Sequence, residues 1–217
     1  MERFRIRTDL ALEARESFEG SDTEVHGVEV EEEYDEKRDI RLTRVRILTE
    51  RGAKEMGKPI GTYLTLEAPG MATPDEDYHR EISEVLAKCL RELMGEEKER
   101  SILVAGLGNR DVTPDALGPE AVSNLLITRH LIREYGKQVM GTERVNQISG
   151  IVPGVMAQTG METSEIIQGI VAQTEPDLLI VVDALAARST RRLSRTIQLT
   201  DTGIQPGSGV GNHRICS

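Results

Sequence analysis

The chain twice shows a short unbroken apolar run that ends on glycine or aspartate, and the first leads into a helix-like segment. SILVAGLG (101–108) and DLLIVVD (177–183) are these runs, each of the length and continuity expected of a strand covered on both faces. After the first, GPEAVSNLLITRHLIREYG predicts a helix over about 118–135 that stops at Gly136. A short segment NQISGIVPG, a helix near METSEIIQGIVAQT and a further strand TIQLTD (196–201) complete this half. Strand and helix alternating at this spacing predict right-handed crossovers and a mainly parallel open sheet flanked by helices.

The first half has a different rhythm. VHGVEVEEEYD and IRLTRVRIL alternate and are rich in β-branched residues, and the polar link at Asp35–Arg38 predicts an antiparallel hairpin at a sheet edge or in a small subdomain. GTYLTLEAP (61–69) is a third strand, stopped by Pro69-Gly70. Thr73-Pro74-Asp75-Glu76 then opens a helix, with Thr73 as the expected cap and Glu76 completing a capping box. Behind it Tyr78, Ile82, Val85, Leu86, Cys89, Leu90, Leu93 and Met94 share one face up to Gly95. Residues 1–20 are charged and without strong periodicity, as an arm would be.

Composition narrows the function. In 217 residues, 27 basic side chains face 37 acidic ones, and aromatics are 3% with no Trp. A nucleic acid would meet net repulsion and few stacking platforms, so no direct nucleic-acid partner is expected. Cys89 and Cys216 form neither a disulfide framework nor a CxxC zinc pattern, which fits a reduced, cytoplasmic setting. The N-terminus lacks the apolar core of a secretory signal, and the longest apolar run, 178–182, is too short to span a bilayer, so no membrane partner is expected.

Candidate chemistry sits at the strand ends, where open parallel sheets bind ligands. Gly106-Leu107-Gly108-Asn109 begins like a dinucleotide fingerprint, but Asp111 stands where the next glycine is needed, and no Lys-Ser/Thr follows as in a P-loop. Asp115 lies in the loop after the first run and Asp183 at the end of the second, 68 residues apart. Each alone reads as a helix cap. Together, on neighbouring strands, they would face one crevice, where two carboxylates cannot both ionise cheaply; one would activate water and the other donate a proton, with the roles unassigned. No G-x-S-x-G elbow occurs, Cys89 belongs to a core stripe, and His26, His79, His130 and His213 show no paired spacing. Ser208 reads as a turn residue.

GLGNRDVTPDALGP, SGIVPGVMAQTGMET, LLIVVDALAARS and TDTGIQPGSGVGN, in this order, resemble the germination proteases of spore-forming bacteria, and the glycine-aspartate loop is also similar to the hydrogenase maturation endopeptidases. The resemblance implies an atypical aspartic endopeptidase that degrades small acid-soluble spore proteins in the spore core. It implies no required metal or cofactor, a homotetramer, and a zymogen that removes its own N-terminal arm. The family's essential aspartates fall on Asp115 and Asp183. Arg7-Thr8-Asp9-Leu10-Ala11-Leu12-Glu13 resembles the spore-protein cleavage site, which places self-processing between Asp9 and Leu10, with residues 1–9 as the propeptide arm and 10–217 as the α/β protease domain. Family chains continue past PGSGVGN, whereas this one stops at Ser217, so an inactive domain that only binds partners is one alternative. The other is a metal-dependent maturation peptidase, with Asp115, Asp183 and His213 as oxygen and imidazole ligands for a metal such as nickel.

Overall fold

The structure, a computed structural model, describes residues 10, 11, 13, 26–95, 99–142, 144–187 and 189–204. The chain forms two compact units. One is residues 97–184, and the other is built from the stretches on either side of it.

The discontinuous unit carries a four-stranded antiparallel sheet. Strand β1 (Val28–Asp35) turns through Glu36–Asp39 into β2 (Ile40–Ile47), with Val28 opposite Ile47 and Asp35 opposite Ile40, as the alternation predicts. Helix α1 (Glu50–Met56) follows, capped by Thr49, whose hydroxyl accepts from Gly52 N at 3.1 Å, and closed by Gly57 in the left-handed region. Buried Met56 and half-buried Ala53 pack on the core beside buried Gly52, and two apolar side chains are too few to stand out as a periodic pattern. Strand β3 (Gly61–Glu67) pairs with β2 on one side and with β7 (Thr196–Thr200) on the other. The sheet order is thus β1-β2-β3-β7. TIQLT joins this sheet as an antiparallel edge and adds nothing to the parallel one, because its inward residues Ile197 and Leu199 complete the apolar rows begun by Leu66 and Leu64.

One face of that sheet is covered by α2 (Glu76–Met94), whose Ile82 and Cys89 are buried against Ile40, Leu42, Leu64 and Leu66. The helix starts two residues later than Thr73-Pro74 suggests. Asp75 is the cap, accepting from Tyr78 N at 3.0 Å, while Thr73 closes a preceding 3₁₀ turn. On the opposite face Val45, Ile47, Tyr63 and Met56 enclose Ala11.

The continuous unit holds β4 (Ser101–Gly106) between β5 (Gln147–Ile151) and β6 (Leu178–Val182), all parallel. Helix α3 (Leu117–Ser123) packs on β4 and β6, and α4 (Arg129–Tyr135) packs on β5. The single helix expected over 118–135 is therefore two, because Thr128 bonds to β5 through backbone and side chain, as described below. Short α5 (Met156–Thr159) and α6 (Thr163–Thr174) link β5 to β6. Residues 102–105 of β4 are buried, as its unbroken apolar run requires. β6 departs from expectation: it is an edge of this sheet, no residue of it is fully buried, and Leu179 is exposed. Among the described residues no helix is long and apolar enough to cross a membrane.

Candidate active site

The two parallel ladders bring the carboxyl ends of β4 and β6 side by side, with Gly106 opposite Val182. The residues that leave those ends are Leu107 and Asp183. Leu107 N donates to Val182 O at 2.8 Å, so the ladder runs one bond into the loops and holds their starts together.

The glycines of the first loop are there for close approach. Gly118, near the start of α3, lies so near the loop backbone that a Cβ would fall 2.3 Å from Leu107 O and 2.5 Å from Val182 O. Gly106 meets it from the strand side, where a Cβ would fall 2.1 Å from Gly118 O. Helix α3 is thereby seated directly on the two strand ends. Gly108 has φ +113°, in the region that favours glycine, and a Cβ there would fall 2.0 Å from Asp115 O. The loop folds back until Asp115 rests against Gly108.

That fold explains a pair of acids in a glycine turn. Asp115 ends a 3₁₀ turn (Thr113–Asp115), and its half-buried carboxylate accepts from Asn109 N at 2.8 Å. It makes no cap hydrogen bond to α3, so the helix-cap reading of this residue is replaced by loop closure. The backbone amide that a phosphate would use is occupied by the protein's own anion. Asn109 Oδ1 in turn accepts from Asp111 N at 3.0 Å and from Gln158 Nε2 at 3.2 Å, while the Asp111 side chain is exposed. Asn109 and Gln158 are site residues that the sequence reading missed. Asn109 stood inside the motif, but its contact with α5 depends on tertiary placement.

Asp183 immediately follows the Val182 that bonds Leu107, and it is half-buried, with Oδ1 accepting from Ala184 N at 2.8 Å. Asp115 thus flanks Gly108 and Asp183 adjoins the partner of Leu107. Both acids belong to one unit and to one end of one sheet.

Cys89 is buried in the α2 core of the other unit, and burial pushes its thiol pKa up, the opposite of what a nucleophile needs. His26, His79 and His130 are exposed. Leu10 is completely buried. Asp9, Ser208, His213 and Cys216 lie outside the described residues, and among the described ones no three His, Cys, Asp or Glu side chains are grouped to hold a metal.

The germination protease family profile matches residues 6–216. The chain is similar to the germination protease of Caldanaerobacter subterraneus subsp. tengcongensis, 52% identical over 97% of this chain and 63% of that protein. It is 47% identical to that of Clostridium perfringens, over 98% of this chain and 65% of the relative. To that of Bacillus cereus it is 46% identical, over 99% of this chain and 59% of the relative. The chain therefore spans somewhat under two-thirds of the length of these relatives, and it belongs to the germination protease family.

Proposed function

We propose that the protein is an endopeptidase of spore germination in which Asp115 and Asp183 carry the chemistry. The observation that supports this most is the pairing of β4 with β6, which sets the loops bearing the two acids at one sheet edge. In this reading one carboxyl group takes a proton from water, which adds to the scissile carbonyl carbon. The other gives its proton to the amide nitrogen as the C–N bond breaks. The glycine turn lets a peptide backbone come close to both acids. Family membership supports small acid-soluble spore proteins as substrates, a homotetramer in the spore core, and a zymogen cut between Asp9 and Leu10.

The test is single replacement, Asp115→Asn and Asp183→Asn, in the full-length protein, with self-cleavage and peptide cleavage followed together. Each variant should lose at least about 100-fold in turnover, the ordinary contribution of a positioned acid or base, with an unchanged circular dichroism spectrum. A folded variant that keeps full turnover refutes the assignment for that residue.

A further inference from the structure

One side chain, Asn109, ties the loop that carries Asp115 to the neighbouring loop. Its main-chain N–H donates to Asp115 Oδ2 at 2.8 Å. Its side-chain oxygen, Oδ1, accepts from Asp111 N at 3.0 Å and from Gln158 Nε2 at 3.2 Å. Gln158 belongs to α5, which follows β5, and its Oε1 accepts a long bond from Val155 N at 3.5 Å. Gly154, with φ +77°, turns the chain just before, where a Cβ would fall 3.2 Å from Gln158 Oε1. Strands β5 and β6 both run parallel to β4, so this brace joins two adjacent strand ends at the edge that also bears Asp183.

Two backbone amides settle the polarity of this brace. A main-chain N–H can only donate, so the atom facing Asp111 N is the Asn109 oxygen and the atom facing Val155 N is the Gln158 oxygen. Gln158 Nε2 is then the donor between the two side chains. Asn109 Oδ1 has both lone pairs engaged, and turning the carboxamide over would break two bonds. What is left is the Nδ2 group. Among the described residues neither of its N–H bonds has a partner, although Asn109 is half-buried. A position that only had to accept would be served by aspartate, whose oxygen takes the same two bonds. The amide adds two donors and no charge, in the residue whose backbone holds one of the two proposed catalytic acids.

We propose that Asn109 is a catalytic residue, donating through Nδ2 to the scissile carbonyl oxygen as it becomes an oxyanion, and that Gln158 is the positioning residue that holds it. The proposal deepens the endopeptidase reading and rests on it. Water's oxygen bonds to the carbonyl carbon and its proton goes to one aspartate, while the C=O π pair moves onto the carbonyl oxygen. The Nδ2–H bond to that oxygen strengthens as the charge grows. When the pair returns to re-form C=O, the C–N bond breaks and the amide nitrogen takes the other aspartate's proton. Asn109 exchanges no proton and stays neutral throughout.

The experiment uses the full chain and a peptide copying residues 5–16, with two uncleavable relatives of that peptide. In one, a phosphinic group replaces the amide between residues 9 and 10 and copies the charged oxygen of the tetrahedral state. In the other, a methylene-amine link leaves no oxygen there. Asn109→Ala should lower kcat at least about 100-fold with KM within about threefold. By calorimetry it should weaken the phosphinic peptide by about the same 100-fold and leave the methylene-amine peptide within about threefold, a split that a merely displaced loop would not produce. Gln158→Ala, at an exposed side chain, should lower kcat and phosphinic affinity about tenfold, and should cost nothing further once Asn109 is alanine. This second variant decides the matter if Asn109→Ala fails to fold. Turnover kept by either variant, equal weakening of the two uncleavable peptides, or fully additive losses would overturn the proposal. If Asp115→Asn and Asp183→Asn are silent while Asn109→Ala turns over normally, the protease reading stands and this proposal falls. If the parent cuts nothing yet binds the phosphinic peptide through Asn109, the oxyanion contact stands and the protease reading falls. A parent that neither cuts nor binds sinks both.

Discussion

Replacing Gly118 with alanine puts the strand-end geometry to a direct test, because two opposing effects have calculable sizes. Alanine is the better helix former, and in an open helix the change stabilises by about 1 kcal/mol. At Gly118 the new methyl would lie 2.3 Å from Leu107 O, so the loop and helix must part by roughly 0.7 Å to reach the 3.0 Å that real Cβ contacts respect. Leu107 N and Val182 O, both at 2.5 Å, press from the same region, and all three are backbone atoms that no rotamer change can move aside. Overpacking of this kind costs about 1–3 kcal/mol, and rigid neighbours place it at the upper end. The net expectation is a loss of about 2 kcal/mol, or about 1 M in urea midpoint for a slope near 2 kcal/mol/M. If the proposed roles of Asp115 and Asp183 hold, turnover should suffer beyond stability, since shifts approaching 1 Å in the loops that bear them cost up to about 100-fold. Gly169, inside α6 with nothing within 4 Å of its would-be Cβ, is the matched control. Gly169→Ala should raise the urea midpoint by a few tenths of a molar, in line with helix propensity near 1 kcal/mol. A Gly118→Ala protein with a midpoint at or above the parent's would refute the close seating of α3 on the two strands.

Two further outcomes follow from contacts already described. Asp115→Ala leaves Asn109 N without its acceptor and should cost about 1–3 kcal/mol in urea unfolding, whereas Asp115→Asn keeps an oxygen there and should stay within about 0.5 kcal/mol of the parent. In a Cys216→Ser background, Cys89 should react with iodoacetamide at pH 8 at least about 100-fold more slowly than in urea, because burial both shields the thiol and raises its pKa. The folded value lies above the unfolded one, so the stability linked to this group is complete below about pH 8.5 and is lost as pH rises through the folded value. Urea midpoints taken between pH 8 and 10.5 should accordingly fall less steeply in Cys89→Ala than in the parent.

Local pattern foretold the elements whose identity depends on burial alone. The unbroken run at 102–105 is a central strand as its pattern suggested, although the similar run at 178–182 is an edge, and the α2 stripe named Ile82 and Cys89 as inward residues before any neighbour was known. What eluded the pattern depends on partners distant in sequence. Thr128 donates its hydroxyl to Asn146 O at 2.6 Å, accepts from Ile148 N at 2.9 Å, and gives its own amide to Ile148 O at 3.0 Å. These three bonds to the β5 region remove it from a helix that periodicity alone would have continued. The alternation in TIQLT likewise announces a strand but not which sheet it joins. At the site, the two acids were legible as strand-end residues. That Asp115 would close on Asn109, and that Gln158 would reach the same asparagine, depends on how the loop turns at Gly108.

The division of the chain also sets an order of assembly. Residues 97–184 are contiguous, so everything needed to join β4 to β6 has been synthesised once Ala184 leaves the ribosome. The antiparallel sheet must wait for residues 196–200 to supply its last strand, and the buried Glu13 carboxylate must wait for its partners, Ser189 N and Arg192 Nη1. During translation the strand ends next to Asp183 can therefore pair before the N-terminal segment can be gripped.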